Sequence, residues 1–397
     1  MADTKKNGFH TVEVDMEEYE QKLRAHRKKI FKRIMTLVIA VVLVFLGVSF
    51  YFSLKFYDKY EVRSSVERAD TEATKFEEFG GNILKYSNDG AFYTDVSNEL
   101  IWNQTFEMTK PMIDICEGYL VIYDKDGTQV FILNKEGLQG SIETTMPIQQ
   151  VCVANQGTVA VLMNQQQTGY LKLYDKKGEE LASGEIHGEK GGYPIALALS
   201  NDANKMAVSM LDINDGDIKT TIAFYNFGSV GQNEIDNCVG SYSYPDMVFP
   251  EIDFLSNDKM VAFGDGEVIL FEGTQKPQVT NEIFLEKEVK SIFYNESYFG
   301  IVTSNEDEAV THHITVYNMN GKAVMEKDFA MEYEHIEFLE NNEICVRNAT
   351  SFDIYTIRGI YKCHYDFDQN LFRVLSGGTG RNYVFVLDGK TEKVQLK

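Results

Sequence analysis

The hydrophobic and polar positions of this chain follow two regimes. Residues 34–54, IMTLVIAVVLVFLGVSFYFSL, form an uncharged apolar run. At ~1.5 Å per residue, 21 helical residues reach ~31 Å, the thickness of a bilayer's hydrocarbon layer, and a core helix of this length keeps a polar face. The run therefore predicts one transmembrane helix. Beyond residue 70 the period falls to two. Short alternating stretches rich in Val, Ile, Tyr and Phe, bounded by Gly, Asn and Asp, predict β-strands.

Those strands recur in a unit: an apolar strand, a turn of the form [Asp/Asn]-x-x-Gly, and another strand. It is seen at Ile132 to Gly137, Leu173 to Gly178 and Val316 to Gly321, with a variant from Tyr93 to Trp102 and looser copies beginning at Phe224, Leu270, Ile354 and near Val394. A spacing near 40 residues with four strands per unit predicts the blades of a β-propeller. Four of the six prolines, Pro111, Pro147, Pro194 and Pro250, fall where the first strand of a blade begins, a place where a missing amide donor costs least. Residues 75–107 already hold four strands, whereas 371–397 hold only three. The strand-like YEVRSSVE at 60–67 can supply the fourth and close the ring without exposed sheet edges. The expected fold is all-β, an eight-bladed propeller with seven blades as the alternative, preceded by one transmembrane helix.

Charge orients the anchor. Six bases (Arg24, Arg27, Lys28, Lys29, Lys32, Arg33) precede the apolar run, while Lys55, Lys59, Arg63 and Arg68 after it are interspersed with acids. The positive-inside rule then places residues 1–33 in the cytoplasm as a short arm and residues 58–397 outside the cell membrane. The run is too long for a signal-peptide core and lacks a small-residue cleavage site. Within the arm, residues 1–14 read as disordered, Asp15 as a helix cap, and Glu18–Lys22 and Glu20–Arg24 as pairs one helical turn apart. The whole chain carries −22; residues 1–33 hold +3 and Lys55 +1, leaving −26 on 58–397. Such acidity argues against nucleic acid, whose binding rests on basic patches. Five scattered cysteines without CxxC spacing predict free, packed thiols.

The Leu173-x-Asp175-x-x-Gly178-Glu179-x-Leu181 unit and Trp102 are similar to the tryptophan-docking repeat of quinoprotein-like propellers, although most copies lack the Trp, so no cofactor is implied. The layout of basic arm, apolar run, YEVRSSVER, ILKYSNDG and ELIWNQTFEM resembles an uncharacterised family of single-pass, membrane-anchored propellers of clostridial Gram-positive bacteria. That resemblance implies a fold and a location, and no chemistry.

The innermost strand of each blade lines the channel. Three residues beyond the blade-initial proline stand Asp114, Gln150, Leu197 and Asp253, and matching positions elsewhere are Glu77, Ser291, Glu337 and Arg373. Asp114, Asp253, Glu337 and Arg373 are the candidate channel-lining binders, for a cation or a basic peptide. The links HGEKGGYP (187–194) and SYSYPDMVFP (241–250) share one side of the ring with the Asp212 to Lys219 turn and the acidic 305–308 stretch. Loops on a rigid scaffold concentrate binding residues, which makes Tyr193, Tyr242, Tyr244 and Phe249 the candidate partner surface. The Asp212 turn lacks the glycine and acid spacing of a calcium loop, and no metal site is expected.

Gly-x-Ser-x-Gly, HExxH and phosphate-binding glycine loops do not occur. The expectation is a non-enzymatic binding scaffold or receptor at the cell envelope, with the lipid bilayer and an envelope or membrane protein as partners. A sensor relaying ectodomain binding to a cytoplasmic partner, and an extracytoplasmic hydrolase or lyase using channel carboxylates, are the alternatives.

Overall fold

The computed structural model describes residues 16–70, 74–166, 168–214, 216–305, 309–378 and 380–397. Side chains of 16–19, 46, 48–53, 189, 190 and 214 are outside that description, as are the expectations for residues 1–14, Asp15, Glu18 and the acids at 306–308. The chain divides into two compact units, residues 1–56 and 57–397.

The first unit carries one helix, Met16–Leu54, of 39 residues, so arm and apolar run are a single element. Glu20 and Arg24 pair at 3.1 Å across one turn, the favourable orientation for a helix surface. The expected transmembrane run is the latter part of this N-terminal helix; among the described residues, no helix is long and apolar enough to cross a membrane.

In the second unit the described strands form eight four-stranded antiparallel sheets. Blades 1 to 7 are consecutive meanders, with innermost strands Lys75–Phe79, Pro111–Cys116, Ile148–Val153, Tyr193–Leu199, Glu251–Phe254, Val289–Tyr294 and His335–Phe338. Blade 8 begins with Leu371–Ser376 inside and ends, on its outer edge, with Tyr60–Glu67 from the far end of the chain. That strand pairs with Lys390–Leu396 from Tyr60↔Leu396 to Glu67↔Lys390, with a bulge between Val62 and Ser64. Eight blades, closed by joining both ends of the chain, are thus the observed architecture.

The recurring turn motif has a local cause. It joins the third strand of a blade to the fourth, and its Asp or Asn side chain caps the turn. Asp175 Oδ1 accepts from the amides of Lys177 and Glu179 at 2.9 and 2.8 Å. Asp95 and Asn318 do the same for Ser97 and Glu99, and for Asn320 and Lys322. Gly178 and Gly321 sit at φ 86° and 72°, which a side chain rarely tolerates. Trp102 lies over Gly137 of the next blade and donates its indole N–H to the Asn134 carbonyl at 3.1 Å.

Core side chains fill the seams between blades. Val121, Val130 and Ile132 of blade 2 pack with Val151, Val159 and Val161 of blade 3. Where the ring closes, Tyr57, Phe352, Tyr365 and Phe385 form a buried aromatic cluster, with Tyr60 edge-on to Tyr365 at 4.9 Å. The Tyr57 amide donates to the Lys362 carbonyl at 2.8 Å. Arg68, between the closing strand and blade 1, is buried and donates to Asp70 and to the Leu387 carbonyl at 2.7 Å each, and to Thr391 Oγ1 at 2.5 Å.

Strand direction gives the ring two ends. Tyr60–Glu67 starts at the end bearing the hairpins between first and second strands, so the chain joins the ring there. The links between blades, and the second-to-third strand turns, emerge from the opposite end, here called the link face.

Candidate functional site

All eight positions expected in the channel stand on innermost strands; Ser291 shares a hydrogen bond with the Tyr333 hydroxyl at 2.7 Å, and the structure separates the other seven into three groups. In the first, Gln150 forms a two-way amide ladder to blade 4: its Nε2 donates to the Leu197 carbonyl and its Oε1 accepts from the Leu197 amide, both at 2.9 Å. This pair is scaffold.

The second group is acidic. Asp114 Oδ2 accepts from the Val153 amide at 2.7 Å, and burial pushes its carboxyl up to about 6. Burial, with the Asp114 charge, pushes Asp253 up to about 8. Tyr294 donates its hydroxyl to Glu251 Oε1 at 2.9 Å beside them. Cys116, at the end of its strand, is pushed up to about 12 by burial and these carboxylates, and the Cys152 thiol is raised for the same reasons. Both shifts disfavour the thiolate, and all five cysteines are free.

A carboxyl that holds its proton in the fold but not in the unfolded chain stabilises most at low pH, and that contribution disappears as pH rises through its folded pKa. For Asp253 the window runs from about 4 to about 8. Asp253→Asn should therefore raise stability at pH 8.5 by ~1–3 kcal/mol and flatten the decline of Tm between pH 5 and 8.5. Thermal melts of both proteins across that range check this; parallel profiles would refute the assignment.

The third group is an ion network at blades 7, 8 and 1. Arg373 pairs with Glu77 through Nη2 and Glu337 through Nη1, and its Nε donates to the Phe76 carbonyl at 2.9 Å. Burial lowers the guanidinium to about 10, which leaves it charged at neutral pH. Burial raises Glu337, with Arg347 opposing, and Glu78 is pushed up to about 8 by burial and the neighbouring Glu340 and Glu337. The expected channel residues Glu337 and Arg373 are thus brought together, whereas Asp114 and Asp253 stand in the acidic group.

Glu77 and Arg373 of this network line a cavity of about 540 Å³ on the link face, together with the starts of three innermost strands, Arg347 and Asn370. Sequence reasoning missed Arg347. It ends the second strand of blade 7, Ile344–Arg347, while only innermost strands were considered channel-forming. Its register partner His335 was the available signal.

The proposed aromatic surface is corrected in part. Phe249 is fully buried, its ring 5.1 Å from Tyr244, because the second residue before the blade-5 strand turns into the seam between blades 4 and 5. Tyr242 is spent on the scaffold, donating to the Pro277 carbonyl at 2.9 Å. Tyr244 is half-buried. Tyr193 alone of the four is exposed, at 41%. The Asp212 turn is a hairpin, with Asn214 opposite Asp217 and Lys219 Nζ 3.2 Å from Asp212; Asp215 lies outside the described residues. Among the described residues no group of three His, Cys, Asp or Glu could hold a metal ion.

Eight closed blades around a polar channel with a cavity on one face define a β-propeller. A family model described as a family of unknown function (DUF5711) matches residues 53–396, and the chain belongs to that family. No curated protein matches it in sequence. Among solved structures it is similar to that of BamB from Moraxella catarrhalis, at 14% identity over 85% of this chain and 100% of that one, TM-score 0.48. It is also similar to a eukaryotic initiation factor, at 12% identity over 85% and 87%, TM-score 0.51. At such identity the second likeness shows the propeller fold alone.

Proposed function

We propose that this protein is a membrane-tethered binding platform, a non-enzymatic scaffold or receptor whose propeller lies outside the cell membrane. The observation that carries this reading is the N-terminal helix. From Ile34 to Phe45 its large apolar side chains stand 49–71% exposed, and they point in all directions around the axis. Apolar surface of that extent in water is costly, at ~25 cal/mol per Å², and a bilayer removes the cost. The sequence supplies the remaining length, with apolar residues at most of 46–54 and the basic cluster before the run.

The ring's topology supports a division of labour. The strand Tyr60–Glu67 enters the ring at the hairpin end, and the link face carries the cavity and the exposed Tyr193 that a partner would meet. An enzymatic reading finds no comparable support: His364, the histidine most engaged with carboxylates, has both ring nitrogens held, by Asp353 at 2.8 Å and Asp366 at 3.1 Å. The platform reading expects a photoreactive amino acid at Tyr193 to give discrete crosslinked species in intact cells. The same probe at Leu138, an exposed residue just past a hairpin at the other end, should give none. Identical patterns from both positions would refute the division of faces.

A further inference from the structure

Arg347 is 6% exposed, yet its guanidinium is scarcely used. Its one side-chain hydrogen bond runs from Nε to Glu337 Oε1 at 3.4 Å. Among the described residues no acceptor meets Nη1 or Nη2, so four N–H donors of a buried cation open onto the cavity of about 540 Å³. Glu337, the one carboxylate in reach, is shared with Arg373, which also occupies Glu77. Lys75, at the cavity wall, has its ammonium over the Tyr86 ring at 5.7 Å and no carboxylate partner among the described residues. Glu334 and His335 complete the polar rim. Both Nη atoms reach the solvent of the cavity, and the water there is what an arriving acceptor would replace. The complementary acceptor is one that presents two oxygens to the planar fork.

We propose that this cavity is a binding site for an oxyanion, a carboxylate or phosphate group, gripped by the Arg347 fork and the Lys75 ammonium, with Phe372 as an apolar wall. The site deepens the platform reading by naming what the link face takes, and it operates on the purified protein, so its failure and that of the crosslinking experiment are distinguishable. A cavity of this volume holds a small molecule or the acidic end of a longer ligand. It is set in a chain of net charge −22, where cations gathered in one cavity are selective for an anion against a repelling surface.

The test uses the full-length protein in detergent, titrated calorimetrically with inorganic phosphate and with malonate, at low ionic strength and with chloride as reference. At least one probe should bind saturably at one site with a dissociation constant below ~1 mM. Preference for phosphate identifies a phosphoryl ligand and preference for malonate a carboxylate. R347K should weaken binding by about tenfold or more, because an ammonium cannot reproduce the two-pronged contact. K75Q should weaken it several-fold, and K172Q, on a distant surface pair, should leave it unchanged. Saturable binding by neither probe, or equal affinity in R347K, overturns the proposal. Should R347K lose its cooperative melting transition, K75Q decides: wild-type affinity there overturns the proposal.

Discussion

Deleting residues 60–67 from the full chain should lower Tm by more than 10 °C and drive the protein into aggregates. The strand is the outer edge of blade 8, and its seven register pairs with Lys390–Leu396 join the two ends of the ring. Its loss removes that ladder and the Tyr60 contacts to Tyr365 and Phe385, and it exposes a row of unpaired amides and carbonyls to other chains. With a net ~1 kcal/mol per ladder hydrogen bond and several more for the aromatic burial, the loss is on the order of 5 kcal/mol or more. A point variant tests the same seam without shortening the chain. Arg68→Ala leaves Asp70, whose side chain is 5% exposed, with only Lys85 at 4.0 Å, and should cost ~2–4 kcal/mol, toward the lower end for breaking a buried pair. Calorimetric melts with size-exclusion profiles check both, and a monomeric deletion variant with an unchanged melt would contradict the closure.

The second large effect is expected one seam away. Lys362, Glu343 and Tyr383 form a triad between blades 7 and 8, each at most 8% exposed. Lys362 Nζ donates to Glu343 Oε1 and, at 2.7 Å, to the Tyr383 hydroxyl, which donates to Glu343 Oε2. Tyr383 is raised by burial and then by the Glu343 charge, so it stays a neutral donor. Lys362→Met leaves the Glu343 carboxylate in an apolar seam with one partner and should destabilise by ~3–5 kcal/mol. Adding Glu343→Leu removes the stranded charge. The double variant should therefore lose less than the sum of the single variants, because the cost lies chiefly in the unpaired ion. Denaturant titrations of the four proteins give the coupling directly; additive losses would show that the triad does not act as a unit.

Much of the ring is legible in the chain because propeller blades are local objects. Period-two alternation marks each strand, and the capped turns at Asp95, Asp175 and Asn318 mark the step to the outermost strand with side chains that close on their own backbone. The deficit of one strand at the C-terminus identifies the closing segment, since a three-stranded blade leaves an edge. The channel column follows from counting along innermost strands. What the chain conceals is set by contacts between blades. The side chain of Phe249 follows a link into a seam, and a link carries no periodicity from which to read its direction. The partition of Glu77, Glu337 and Arg373 into one network, with Asp114 and Asp253 in another, depends on which blades adjoin around the ring. Arg347 escapes notice because it ends a second strand, paired with His335, and only the lining of the cavity places it beside the innermost strands.

Thiol labelling in intact cells tests most directly where the propeller lies. Ile235→Cys places a thiol at the most exposed large apolar side chain among the described residues, at 85%, and Leu23→Cys places one on the N-terminal helix before the apolar run. The unmodified protein, with its half-buried and buried cysteines, is the reference. A membrane-impermeant maleimide should label Ile235→Cys in intact cells and Leu23→Cys only after permeabilisation. Protection of Ile235→Cys until lysis, with Leu23→Cys behaving identically, would contradict a propeller held outside the membrane by its N-terminal helix.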